Sequence, residues 1–115
     1  MKLKRCFSLN NLKTSLANLI LKNPLIAASG IVGYGQQFSK LVKLNNFGAI
    51  SIKGTTLKPR LGNLPPRITE TNGGMLNSVG LENPGIDTFI QNHLPWLLTQ
   101  NTKIIANIAD STITK

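Results

Sequence analysis

The order of apolar runs in this chain predicts an α/β fold of parallel strands joined by right-handed crossovers. Three observations carry that expectation. Short continuous apolar runs at Leu25–Ala28, Ala49–Lys53 and Ile104–Ala109 read as strands buried on both faces. Segments with helical spacing alternate with them. Each run also ends on polar residues, as strands do where a parallel α/β sheet presents its ligand-binding edge.

Taken in order, Leu12, Leu16 and Ile20 allow either a short hairpin or a frayed helix over Leu12–Leu21. Pro24 bars a helix from running through, so Leu25–Ala28, closed by Ser29-Gly30, is the first strand. Gly30, Gly33 and Gly35 make a turn, and Phe38, Leu41, Val42 and Leu44 predict a first helix over Gln36–Leu44, ended by Asn45-Asn46. Ala49–Lys53 is the second strand. Gly54–Gly85 holds six Gly and four Pro and reads as one long loop. Structureless loops beyond about 12–15 residues are uncommon in compact domains unless they bind or cover something. Ile86, Phe89, Ile90, Leu94 and Leu97 predict a second helix over Asp87–Leu98, with Pro95 bending its end. Ile104–Ala109 is the third strand. Asp110–Lys115 supplies no helix to cover it, so the chain reads as stopping in mid-fold.

The 115 residues suffice for about one domain, and with 41% apolar and 15% charged residues they can build a core. The single cysteine, Cys6, excludes a disulfide scaffold and makes the cytoplasm the default compartment. No run approaches the roughly 18–20 apolar residues of a membrane span. Met1–Arg5 is basic, but the apolar run that follows, Leu19-Ile20-Leu21, is too short for a secretory signal. The net charge of +9 is uneven: Met1–Thr69 carries eleven Lys and Arg and no acid, whereas Glu70, Glu82, Asp87 and Asp110 all lie beyond it. Such a half suits anionic partners. Its cations are scattered singly, without the interleaved aromatics of a single-strand binder, so neither nucleic acid nor membrane is the expected partner. The competing function is a small basic anion- or nucleic-acid-binding protein without catalysis.

The chemistry is expected at the strand ends. Ser29 offers a hydroxyl beside glycine; Lys53 ends a buried strand and calls for an anion or strong acceptor, unless it snorkels to solvent. Asn107 interrupts an apolar run, and its amide can read a carbonyl next to an N–H. Gly73–Leu81 combines permissive backbone with the Asn77 amide, a cradle for a small polar ligand or an ordinary glycine-rich loop. Gly30, Gly33 and Gly35 reverse the dinucleotide fingerprint and read as turn residues. His93 has no ligand-spaced companion, so no metal site is expected; Trp96 reads as helix packing and Cys6 as incidental.

These residues sit in blocks that resemble the class 1 dihydroorotate dehydrogenases. Leu21-Lys22-Asn23-Pro24-Leu25-Ile26-Ala27-Ala28-Ser29-Gly30 is similar to that family's opening strand, and Lys53-Gly54-Thr55-Thr56-Leu57-Lys58-Pro59-Arg60-Leu61-Gly62-Asn63 to its second-strand motif. Pro66–Thr71 and Gly74–Gly85 are similar to its substrate loop, and Ile105–Ala109 to its third strand. The wording favours the NAD-linked subclass, 1B.

The resemblance implies a (β/α)8 TIM barrel, with only its first three strands and two helices present in this chain. Residues 1–18 would be an amino-terminal extension or the start of a hairpin, and residues 19–115 the amino-terminal part of the flavin-binding barrel. It implies oxidation of dihydroorotate to orotate with FMN in pyrimidine biosynthesis. By family position Ser29, Lys53, Gly54 and Asn107 would bind FMN, and Lys53, Asn77, Ser78, Val79, Gly80 and Leu81 the substrate. The base would be a cysteine on a loop beyond Lys115. The intact protein would be a homodimer paired with an FAD and 2Fe-2S subunit that passes electrons to NAD. Gly54 stands where a slightly larger small residue is common, and Asp110 where glycine is common. A closed barrel takes roughly 250 residues. The chain by itself is therefore expected to be an incomplete and inactive piece.

Overall fold

The computed structural model describes residues 12–111; Cys6 and most of the expected amino-terminal extension lie outside them. The described residues form a mixed α/β arrangement built on a parallel sheet of three strands, β3 (Ile26–Ala27), β4 (Ala49–Ser51) and β7 (Lys103–Ile105), in the order β3-β4-β7. Ile26 and Ala27 pair with Ala49 and Ile50, and Ala49 to Ser51 pair with Lys103 to Ile105.

β4 is the centre of the molecule. Ala49 and Ile50 point to opposite faces and are both wholly buried, which is why this strand reads as an unbroken apolar run. β3 differs from the sequence expectation: Ile26 is 42% exposed, so among the described residues this edge strand is buried on one face only. β7 is shorter than Ile104–Ala109, but its line continues. Asn107 accepts from the Thr55 N–H at 2.9 Å, and the Ala109 N–H returns to Thr55 at 3.1 Å.

Helical segments pack against the sheet. A short turn of helix, α1 (Ser29–Val32), follows β3 directly. A longer helix over 86–98 packs Phe89 and Leu97 against Val32, Leu44, Ile50 and Ile52. Its middle, Phe89–His93, is a π turn in which the Leu94 N–H reaches back five residues to Phe89. The cause lies two residues on. Pro95 has no N–H and its ring would strike the carbonyl four residues back, and the wider turn makes room. Proline therefore acts inside the helix rather than at its end.

The first predicted helix is not continuous. Gln36–Leu44 contains only a 3₁₀ turn at Phe38–Lys40, and a second begins at Leu44–Asn46 after Lys43 turns extended. Leu44 is buried but Leu41 is 82% exposed, so no stripe is held against the core, and short helices without such packing are marginal in water.

The amino-terminal ambiguity resolves as a hairpin, β1 (Thr14–Leu16) with β2 (Leu19–Leu21), turning at Ala17 with φ 49°. The expected long loop is also partly ordered. β5 (Ile68–Thr71) and β6 (Gly74–Asn77) form a second hairpin around Asn72-Gly73, a turn pair that the sequence displays openly. All eight of its strand residues are exposed. The loop's two ends are tied by an antiparallel bridge between Arg60 and Asn83, and inside it Arg67 pairs with Glu82 and donates to Leu61 O at 2.9 Å. No helix among the described residues is long and apolar enough to cross a membrane.

Candidate functional site

At the carboxyl end of β4 the chain is held by its backbone. The Lys53 N–H donates to Gly33 O at 2.9 Å, and Lys53 O accepts from the Thr55 hydroxyl at 3.1 Å. Thr55 is buried, and its Oγ1 accepts in turn from the Tyr34 hydroxyl at 2.9 Å. Tyr34 is fixed by stacking on His93, with ring centroids 4.5 Å apart, and by a tilted contact with Phe89. His93 Nδ1 lies 3.1 Å from Gln36 Oε1. The Lys53 backbone is thus gripped on both sides, while the ammonium of this half-buried residue has no hydrogen bond or ion pair among the described residues.

Gly54 is where the elements converge. A Cβ built on it would lie 2.9 Å from Leu81 Cδ1 and 3.3 Å from Asn107 Nδ2, so the ends of β4 and β7 and the loop after β6 meet at one point. Ser29 Oγ after β3, Lys53 Nζ after β4, the Asn107 amide after β7 and the Asn77 amide at the end of β6 make no hydrogen bond to described residues, although buried side-chain polar atoms elsewhere are satisfied. Ser78 differs, because its Oγ and its carbonyl both accept from Asn63 Nδ2, at 2.7 and 3.0 Å.

Of the residues expected from sequence, Gly54, Leu81 and Asn107 are in mutual reach, and Ser29 and Lys53 end the neighbouring strands β3 and β4. Val79 and Gly80 are held against Asn63: Val79 O accepts its N–H at 3.1 Å, and a Cβ on Gly80 would meet its side chain at 2.7 Å. Asn77 lies at the end of the exposed hairpin, opposite Ile68, and not in the loop expected for it. The arrangement can bind a small flat polar ligand with an anionic or strongly accepting edge: the Lys53 ammonium and the Asn107 amide, without partners among the described residues, belong to the residues on either side of a glycine without bulk.

Residues 11–115 fit the family model described as "Dihydroorotate dehydrogenase". The chain belongs to the dihydroorotate dehydrogenase family. It is 56% identical over 98 residues to a protein of Caldicellulosiruptor saccharolyticus named dihydroorotate dehydrogenase B (NAD(+)), catalytic subunit, covering 85% of this chain and 33% of that one. Proteins of the same name in Alkaliphilus metalliredigens and Bacillus caldolyticus are 52% and 50% identical, over 90% and 91% of this chain and 34% of each relative. The chain spans about a third of the length of these curated relatives.

Three residues of the chain escape a reading by strand ends. Thr56 and Asn83 are buried and joined to each other across 27 positions, and Tyr34 reaches Thr55 across 21. Their types are unremarkable in sequence, and no signal there marks them.

Proposed function

We propose that the protein carrying this chain oxidises dihydroorotate to orotate with FMN, as the NAD-linked form of the enzyme, and passes the electrons to NAD through an FAD and iron–sulfur partner subunit. One observation carries the reading. The free polar groups Lys53 and Asn107 flank Gly54 at the carboxyl ends of parallel strands, in a chain 56% identical to a catalytic subunit of that name. Residues 19–115 would then be the amino-terminal part of a (β/α)8 barrel, with β3, β4 and β7 as its first three strands.

The residues present fit a flavin. An amide that both donates and accepts suits the adjacent carbonyl and N–H of its ring edge, the Lys53 ammonium suits an acceptor there or a substrate carboxylate, and Gly54 leaves the ring face unobstructed. In this reading Ser29, Lys53, Gly54 and Asn107 hold FMN. Lys53, Asn77, Ser78, Val79, Gly80 and Leu81 receive the substrate. Bound FMN supplies a two-electron acceptor for the hydride lost from substrate C6. This chain's share is to orient the substrate, neutralise its charge with Lys53 and exclude water with Leu81. The C5 proton goes to a base outside this chain, a cysteine in the resemblance.

Purified whole protein, with and without its partner subunit, tests the proposal. Dihydroorotate oxidation with an artificial electron acceptor is expected from the catalytic subunit alone, and NAD reduction only with the partner added. Oxidation by fumarate in place of NAD would overturn the subclass.

A further inference from the structure

We propose that Thr56 and Asn83 form a latch that sets the position of Leu81 over Gly54, and that both are positioning residues for the substrate. The inference deepens the function proposed above and rests on it.

Asn83 and Thr56 are 5% and 6% exposed, and their side chains use nearly all their bonding capacity on one another and on the backbone around them. Asn83 Oδ1 accepts from the N–H groups of Thr56 and Gly85, at 3.1 and 3.0 Å. Its Nδ2 donates to Leu81 O at 2.8 Å and to Thr56 Oγ1 at 3.0 Å. The Thr56 hydroxyl has one hydrogen. It goes to Lys58 O at 2.6 Å, which leaves the oxygen free to accept from Asn83. Every polar atom of the pair is satisfied, as burial requires.

This network does more than close the loop. Closure is already served by the backbone bridge, in which Arg60 and Asn83 exchange both N–H···O bonds at 2.9 Å. The side-chain set instead binds Leu81 O on one side and the Thr56 N–H, two residues from Gly54, on the other. Leu81 sits at φ 54°, a region that non-glycine residues seldom occupy, and so needs a partner to hold it there. Its Cδ1 lies 2.9 Å from the Cβ position of Gly54, beside the Asn107 amide. The latch therefore fixes the gap between the residues expected to receive substrate and those expected to hold the flavin. Misplacement of about 1 Å at such a gap has large kinetic effects.

Thr56→Val in the whole protein tests this, since it keeps the shape of the side chain while removing the donor to Lys58 O and the acceptor for Asn83 Nδ2. Loss of these bonds is expected to raise the KM for dihydroorotate about 10-fold, with bound flavin unchanged and kcat within about two-fold. Thr56→Ser, which retains the hydroxyl, is expected to restore the wild-type KM. An unchanged KM in Thr56→Val overturns the latch, as does a loss of flavin and kcat together that Thr56→Ser does not rescue. A wild-type protein that retains no flavin or does not oxidise dihydroorotate overturns the underlying reading, and that is seen before any variant is made.

Discussion

Under the proposed function, Lys53 is the residue on which the site depends most. Its backbone is locked by Gly33 and Thr55, so its ammonium is presented rather than used structurally. Lys53→Met is therefore expected to leave the melting midpoint of the whole protein unchanged. Loss of a charge-assisted contact worth about 1.5–3 kcal/mol should lower kcat/KM for dihydroorotate roughly 10- to 150-fold. Steady-state kinetics and a thermal melt of the same preparation check both halves. Gly54 makes a graded test. Its nearest neighbour on the Cβ side is the terminal methyl of Leu81, which can yield, so Gly54→Ala should retain flavin. Gly54→Val, which extends the clash to Asn107, should weaken flavin retention by an overpacking cost of about 1–3 kcal/mol; fluorescence titration with FMN reads it. Ser29, Lys53 and Asn107 were legible in the sequence because each breaks an apolar run. Thr56, Asn83 and Tyr34 were not, since their partners lie 21 to 27 positions away and only folding brings them together.

The two helices show what periodicity does and does not tell. The helix over 86–98 was legible because Phe89 and Leu97 have a buried surface to meet. Gln36–Leu44 has the same spacing, but Gly33 and Gly35, at φ 57° and 87°, turn the chain so that Leu41 faces solvent, and the expected helix gives way to separate turns. A pair of variants separates the two cases. Leu97→Ala, at a site with no exposed surface, should cost about 2–5 kcal/mol. Leu41→Ala should cost under about 0.5 kcal/mol, as surface changes do. Denaturant midpoints of the whole protein measure both, and an equal loss would restore the predicted helix. The β5–β6 hairpin was signalled by Asn72-Gly73, but its strands lack the apolar alternation that marks a half-buried pair. Both of its faces are exposed, so burial left no pattern to read.

At the scale of the molecule, the described residues are a three-stranded parallel sheet with helical segments packed against it and two hairpins, spread to a radius of gyration of 17.6 Å. A compact domain of about 100 residues has roughly 13 Å. Large apolar side chains stay exposed just before β3 and after β7, among them Leu25 at 58% and Ile108 at 78%. Parallel sheets are otherwise found covered on both faces. The α/β class was legible from three runs of β-branched and aliphatic residues, whereas no local pattern encodes the two exposed hairpins' packing. Flavin chemistry at the end of β4 is tested by anaerobic mixing of the purified whole protein with dihydroorotate. The visible absorption of bound flavin is expected to bleach while one orotate forms per flavin. A protein that holds flavin and leaves it oxidised in saturating dihydroorotate would contradict it.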